Sequence, residues 1–508
     1  MAFMRYAELL TPRQVEHIHD ASLQILEDVG MLVRHREARQ IFATHGCKVD
    51  SETYLVTFPR QVIEHFRAAF PSTFTFHGRD AHYDVTIPNG QPIIMSGSFA
   101  PNIIDPITQQ ERPARSDDMA QIAHLMNQLP GYDLFCLPII ADDAPPGHFS
   151  LARYYPALKN CLKPLCGDSP NVEETKKIIR MAEIVAGGKE AYRKRPLVTH
   201  HYTPCVSPLT LDVDATAQLL YLCQEKWPGY VTLTPNAGLT SPLTLIGTLA
   251  QSNAEFLATN VLAQMIQPQR EIIYNSLPVV SDMRSGAYTP GAIESGMLLM
   301  GTAQMARFYN VPCGGYAGLT NSKANDAQSG YETGMSTVAA MLGGADMLTM
   351  GGLFDALMTF DFAKAVIDGE IALMLKRMMR GYEEDNKQEL ALDLIGEVGP
   401  AGLFIDAKHT ADHMKTTAFL PNIANRDPRK EWQEKGAVDA HARAMHRARE
   451  ILTRDNPAVF SPDVEAQIRA EFEGLVAGDS VPPPEWKQWA QQQQNTRRAR
   501  KRSRRRRR

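Results

Sequence analysis

Two polar segments gather side chains suited to gripping a charged small molecule. Ser281-Asp282-Met283-Arg284-Ser285-Gly286 carries a carboxylate and a guanidinium two residues apart. Asn321-Ser322-Lys323-Ala324-Asn325-Asp326 carries an ammonium and a second carboxylate. Asp282 and Asp326 are the candidate catalytic residues, because each follows an apolar run and can face a cation held there. Tyr202, Tyr274, Tyr316 and Phe354 stand near the ends of such runs, where a ring face attracts a cation by roughly 0.5–2 kcal/mol. With Arg284 and Lys323 they form the candidate substrate-binding set. Each residue also has a plain structural role open to it. Asp282 and Arg284 can close on each other, Asp326 can cap the helix that follows, and a lone tyrosine can sit in a core. Glu255, inside a helix rich in Ala and Leu, and Asp355 are further carboxylates of the same kind.

Several chemistries are absent from the pattern. There is no G-x-x-x-x-G-K-[ST] phosphate loop, no G-x-G-x-x-G after a strand and no G-x-S-x-G nucleophile elbow. Gly314-Gly315-Tyr316-Ala317-Gly318 has the wrong spacing for a dinucleotide turn. Cys161 and Cys166 lack histidine partners at zinc-site spacing. His200 and His201 are adjacent, so on a strand they point to opposite faces and at most one reaches a common centre. No metal site is expected.

The elements that must position these residues alternate in type. Leu134–Ile140, Pro196–Tyr202, Tyr230–Thr234, Glu271–Asn275, Val311–Tyr316 and Asp346–Met350 read as strands. Between them, Val172–Ala186, Val213–Glu225, Thr244–Ile266, Gly291–Tyr309 and Ala327–Leu342 read as helices. Repeated strand–helix alternation predicts a parallel sheet with crossover helices. Pro164–Gly167 and Gly402–Asp406 would bring the strands to eight, the number that closes a (β/α)8 TIM-type barrel; an open doubly wound sheet is the competing α/β fold. The long Gly-, Pro- and polar-rich segments after the strands favour the barrel, whose sites lie on such loops. Ahead of it, Thr11-Pro12-Arg13-Gln14 is a capping box with proline at the first helical position. Val15, Ile18, Ser22, Ile25, Leu26 and Val29 follow on one helical face, up to Gly30. The expected division is an N-terminal α+β module over 1–100, the barrel with C-terminal wrapping helices over 101–475, and a disordered linker and tail over 476–508.

Composition bounds the class. The chain has 508 residues, 44% of them hydrophobic and 22% charged, which excludes a disordered or collagen-like polymer. Seven scattered cysteines in a long chain imply reduced thiols and a cytoplasmic location. Residues 1–10 lack a signal-like apolar run, and no stretch is apolar enough to span a membrane. Ten of the twelve residues from Arg497 to Arg508 are basic, which leaves −14 on the rest. Such a run stays solvated, with weak contact to nucleic acid or another anion as its expected use.

The chain also resembles a known family, the trimethylamine methyltransferases, which are corrinoid-dependent. The likeness extends from about Leu10 to Leu475. It is densest at Tyr274–Gly286, at Gly318–Glu332 and at Asp361–Arg380, with Leu394–Pro400 and Lys408-His409-Thr410 adding to it. The resemblance implies a (β/α)8 barrel that transfers a methyl group from a methylated amine to a separate corrinoid protein. Members that act on trimethylamine carry pyrrolysine, whereas this chain uses the twenty standard residues. It therefore looks like the non-pyrrolysine branch, similar to glycine betaine methyltransferases, with a quaternary amine as substrate. No D-x-H-x-x-G corrinoid-binding pattern is present, and Asp412-His413 has the wrong spacing. The corrinoid (cobalamin) is thus expected on a partner protein rather than bound to this chain, and a homo-oligomer is expected. Another barrel enzyme, a lyase or hydrolase, or a non-catalytic ligand- or RNA-binding protein are the competing functions.

Overall fold

The computed structural model describes residues 6–382 and 386–492. Eight strands, β1 Ile93–Met95, β2 Phe135–Cys136, β3 Leu165–Gly167, β4 Val198–Tyr202, β5 Gly229–Leu233, β6 Tyr274–Ser276, β7 Cys313–Tyr316 and β8 Met347–Thr349, lie side by side in sequence order. Every neighbouring pair is parallel, with His201 opposite Tyr230 and Asn275 opposite Gly314. Leu348 of β8 pairs with Ile94 of β1, and a bridge from Met95 to Leu134 joins β1 to β2. The sheet therefore closes on itself as a TIM-type barrel. A helix follows each strand: α1 Ser116–Gln128, α2 Leu151–Asn160, α3 Val172–Val185, α4 Asp214–Gln224, α5 Leu245–Ile266, α6 Ile293–Tyr309, α7 Ala327–Leu342 and α8 Phe362–Met379.

One expected strand is corrected. Gly402–Asp406 is irregular, with Leu403 80% and Ile405 75% exposed, so it has no sheet to join. The eighth strand is Ile93–Met95. Three residues are too few for alternation to declare itself, and only barrel closure makes them a strand. This strand lies before residue 101, so the N-terminal segment supplies part of the barrel.

The capping box forms as the sequence predicts. The Gln14 amide donates to Thr11 Oγ1, and the Thr11 amide donates back to Gln14 Oε1. Helix Pro12–Gln24 continues as one π-helical turn, Ile25–Val29, and stops at Gly30 with φ 76°. A Cβ there would lie 2.4 Å from the Val56 carbonyl oxygen, so glycine alone fits. Helix Pro12–Gln24 packs against α5: Ser22 Oγ donates to the Ala250 carbonyl, and Asn253 Nδ2 donates to Ser22 Oγ and Tyr309 Oη. α5 is therefore covered on its barrel face and on its outer face, which explains its Ala- and Leu-rich sequence on all sides. A further link is the parallel pairing of Leu32 with Thr210 in the β4–α4 loop.

A hairpin, Phe74–Phe76 paired with Val85–Ile87, plugs the N-terminal end of the barrel. Phe74, Phe76 and Ile87 pack there with Ile93, Met95, Cys136, Cys166, Tyr230 and Met347. The floor is thus apolar and closed, as an eight-stranded barrel with a side-chain-filled interior requires. At the other end of the chain, Trp486 is buried against Phe362 at the start of α8. Residues 476–492 are thereby held to the body, in contrast to the disordered linker the sequence suggests. The arginine run 497–508 lies outside the described residues. All seven cysteines are buried and free. Among the described residues no helix is long and apolar enough to cross a membrane.

Candidate active site

Toward the C-terminal end of the barrel, side chains from six strands and one helix converge on a common mouth, with Tyr230 at its base. β4 shows how. Alternation turns His201 inward, where its ring lies beside Tyr230 of β5 with centroids 6.0 Å apart and its Nε2 is 3.4 Å from Cys136 Sγ of β2. His200 and Tyr202 turn outward toward Arg270. Directly after β3, Asp168 enters the same space. Gly167 lets the Tyr154 ring of α2 come so close that a Cβ would lie 2.3 Å from its hydroxyl, and that hydroxyl donates to the Asp168 carbonyl at 3.0 Å. Arg153, one residue earlier on α2, donates through Nη2 to Asp168 Oδ1 at 3.1 Å and through Nε to the Ile139 carbonyl. From β7, the Tyr316 hydroxyl lies 2.9 Å from Ser98 Oγ, just past β1. Burial raises the Tyr316 phenol, and the nearby Asp168 carboxylate adds to the rise.

The electrostatics of the mouth are simple. Burial pushes the Cys136 thiol up to about 12 and pulls His201 below its usual value, so both are neutral near pH 7. Burial likewise raises the phenols of Tyr230 and Tyr316, and both stay protonated. What remains is one ion pair, Arg153 with Asp168, among neutral aromatic groups. Asn275 Oδ1 and Thr349 Oγ1 are buried acceptors with no hydrogen-bond partner among the described residues.

The residues singled out from sequence go to several places. Tyr316 stands in the mouth. Tyr202 turns out of the barrel toward Arg270, and Tyr274 stacks face to face on Phe256 of α5 at 3.9 Å. Asp282 closes on Arg284, whose Nη2 lies 2.6 Å from Oδ2; the guanidinium holds the carboxyl down at about 2 and is itself 90% exposed. Asp326 caps α7, accepting from the Ser329 amide and from Ser322 Oγ. Lys323 pairs with Asp355 at 3.0 Å. Phe354 is buried in the hairpin after β8, whose second strand, Thr359–Phe360, pairs with Asn102 and Ile103 in the β1 loop. Glu255 accepts from Ser207 Oγ, the Leu209 amide and Gln251, a structural anchor for the β4 loop. Sequence reasoning passed over Asp168, Arg153, Ser98, Cys136 and Tyr230, and weighed His201 only as a metal ligand. Asp168 could have been found, since it follows the candidate strand Pro164–Gly167 immediately.

The exposed Asp282–Arg284 pair leads to a testable expectation. Asp282→Asn should leave both the melting temperature and turnover close to those of the parent, because solvent screens the pair and the arginine can rehydrate. A loss of turnover with unchanged melting would place Asp282 in the working site.

Comparison with known proteins now bears on this geometry. A family model described as trimethylamine methyltransferase (MTTB) matches residues 2–473. A glycine betaine methyltransferase of Desulfitobacterium hafniense (strain Y51) is 32% identical over 464 residues, covering 91% of this chain and 96% of that protein. A trimethylamine methyltransferase MttB of Desulfitobacterium hafniense (strain DSM 10664 / DCB-2) is 30% identical over 456 residues, covering 90% and 91%. MttB1 of Methanosarcina mazei is 29% identical over 470 residues, covering 91% and 94%. Superposition on a dihydropteroate synthase of Coxiella burnetii in complex with pteroic acid gives a TM-score of 0.38 at 13% identity, over 60% of this chain and 98% of that one. The barrel rests on its own strand order, not on that likeness. With the family model spanning nearly the whole folded body, the chain belongs to the trimethylamine methyltransferase family and is a methyltransferase built on a (β/α)8 barrel.

Proposed function

We propose that the protein moves a methyl group from a quaternary amine to the Co(I) of a separate corrinoid protein. The observation that carries this reading is the chemistry of the mouth: neutral aromatic and polar groups around one carboxylate already tied to a guanidinium. A quaternary nitrogen leaves as a neutral tertiary amine, so the step needs no proton and no group poised near pH 7. The positive charge on nitrogen disappears as the methyl group departs. Several free carboxylates would hold the ground state more tightly than the transition state and slow the step. The Tyr316 ring attracts the cation moderately, and Asp168 adds an anion whose charge Arg153 partly offsets. The nucleophile is the Co(I) of the co-substrate protein. Exposed Val206, Leu239, Leu243 and Met283, on the loops after β4, β5 and β6, offer an apolar rim against which such a partner can seat. The glycine betaine and trimethylamine enzymes among the relatives support methylated amines as the substrate class.

The test offers glycine betaine, carnitine, proline betaine and trimethylamine in turn, with a reduced corrinoid protein, and follows loss of the Co(I) absorption. Turnover of at least one quaternary amine, with trimethylamine untouched, is the expected result. Turnover of trimethylamine alone, or of no amine across several corrinoid proteins, would overturn the reading.

A further inference from the structure

Several helices of the barrel ring are covered on their outer side. Helix Pro12–Gln24 lies over α5, helix Ala440–Leu452 over α8 and α1, and helix Pro462–Glu471 against α3. α7 is as apolar as these and has no such cover: among the described residues it packs on α6, α8 and the barrel. Of its 16 residues only Glu332 is charged, and that carboxylate accepts from Thr320 Oγ1 and the Asn321 amide of the rim. The outer face is therefore uncharged. Tyr331 is 55% and Met335 54% exposed, and Gly330 and Gly334 leave open space beside them. Exposed Ile293 and Met297 of α6 extend the face, since Gly296 of α6 lies against Ser336 of α7. A helix apolar on every side is a buried helix, and α7 lacks what would bury it.

A second bare apolar surface lies on the same chain. After α8 the backbone leaves the body near Gly381 and returns at Thr416 and Thr417, whose carbonyls accept from Arg380 and Arg377. Along this excursion Leu392, Ile395, Leu403, Phe404 and Ile405 are all exposed. The named side chains present on the order of 400 Å² on α6–α7 and 500 Å² on the excursion, whereas the largest patch of a typical monomer is about 300–600 Å². This chain carries two.

We propose that a second copy of the chain covers both surfaces: the excursion 390–405 of one copy lies on the α6–α7 face of the other, and the reverse, about a two-fold axis. Such a contact is self-complementary, as an isologous dimer requires. Ring helices run from the mouth to the floor of the barrel, so Tyr331 and Met335, early in α7, lie toward the mouth. The excursion starts at the end of α8, toward the floor. Reciprocal contact therefore sets the two barrels side by side and antiparallel, with both mouths left open. Burial of the named side chains on two copies removes on the order of 1,800 Å² from water, within the roughly 1,200–2,000 Å² of a stable interface. Neither the substrate nor the corrinoid partner enters this assignment.

The test is sedimentation equilibrium of the full chain from about 0.1 to about 100 µM. The parent should sediment at twice the 56.5 kDa of one chain, or at an even multiple of it, with a Kd of about 1 µM or tighter for the two-fold contact. Met335→Asp and Ile405→Asp should each weaken that contact about 100-fold or more, because each buries a charge twice in the dimer. Both side chains are exposed in the single chain, so far-UV circular dichroism should not change. A mixture of the two variants distinguishes reciprocal exchange from any other pairing. Either variant alone has both contacts broken, whereas one of each keeps one contact intact, so the mixed dimer should form about tenfold or more tighter than either variant with itself. A parent that is monomeric at about 100 µM, an odd-numbered assembly, a variant that dimerises like the parent, or a mixture no tighter than its components overturns the proposal. Should an aspartate variant fail to fold, hydrogen exchange of the parent decides. The irregular segment 402–406 should exchange more slowly in the dimer than after dilution to monomer, and equal exchange overturns the proposal.

Discussion

Replacing Lys364 with methionine is expected to lower the unfolding free energy by roughly 3–5 kcal/mol. Lys364 lies in α8 with its side chain 1% exposed, and its Nζ donates to Asp368 Oδ1 at 2.5 Å and to Thr333 Oγ1 of α7 at 2.9 Å. Asp368 is wholly buried, and its second oxygen accepts the Gly352 amide in the turn after β8. Burial already pushes the Asp368 carboxyl above its usual range; without the ammonium it is left with one N–H donor in a low-dielectric layer. The double replacement Lys364→Met with Asp368→Leu should recover most of the loss, because the stranded ion goes with its partner. Chemical denaturation of the two variants and the parent measures both effects. A Lys364→Met protein unfolding at the parent midpoint would mean that the pair contributes nothing. The consequence for function is local. The Gly352 amide leads directly into Leu353–Phe354, so loosening this anchor also loosens the hairpin after β8, and turnover should fall with stability.

The second large effect is on pH dependence. His200 is buried with neither ring nitrogen hydrogen-bonded among the described residues, and burial, with the charges of His201 and Arg270, pulls it down to about 3. In the unfolded chain it titrates near 6.5. The folded value is the lower one, so between these two values the unfolded state binds the extra proton. The stability His200 allows is complete above about pH 6.5 and falls as the pH drops, by about 1.4 kcal/mol per pH unit. Other groups work in the opposite sense. Asp346, raised to about 6 by burial, favours the folded state as pH falls through that value. A comparison between variants isolates the histidine. His200→Gln, which takes up no proton, should gain on the parent by about 2 kcal/mol between pH 7 and pH 5. Denaturant unfolding of both proteins at the two pH values gives the double difference. A difference that does not change with pH would mean that His200 is protonated in the folded barrel or solvated through a path from outside.

Much of this protein is written locally. Thr11, Pro12 and Gln14 fix a helix start through hydrogen bonds that span three residues. The helix Ala327–Leu342 and the strands ending at Tyr202 and Tyr316 follow from side-chain periodicity, which reports backbone dihedrals and faces. The strand–helix alternation carries the fold class, and the segments around Tyr274–Gly286 and Gly318–Glu332 carry the family. The strand Ile93–Met95 is different. Its three residues have no periodicity to show and become a strand only because β8 and β2 lie on either side.

The mouth lies at the same limit. Asp168 and Tyr316 are strand-end residues, a position that sequence can mark, but Arg153 belongs to a helix and reads there as one charge on an apolar face. Ser98 and Tyr316 are 218 positions apart and share a hydrogen bond, and Cys136 meets His201 across 65. Conversely, Asp282, Asp326 and Lys323 have the residue types of a binding site, yet each is already partnered: Asp282 by Arg284, Asp326 by the Ser329 amide and Lys323 by Asp355 of the loop after β8. The sequence by itself determined which faces of which elements are apolar, because periodicity needs only neighbours along the chain. Which inward-facing side chains meet was decided by the tertiary structure, since barrel closure and strand stagger set distances that no local pattern encodes.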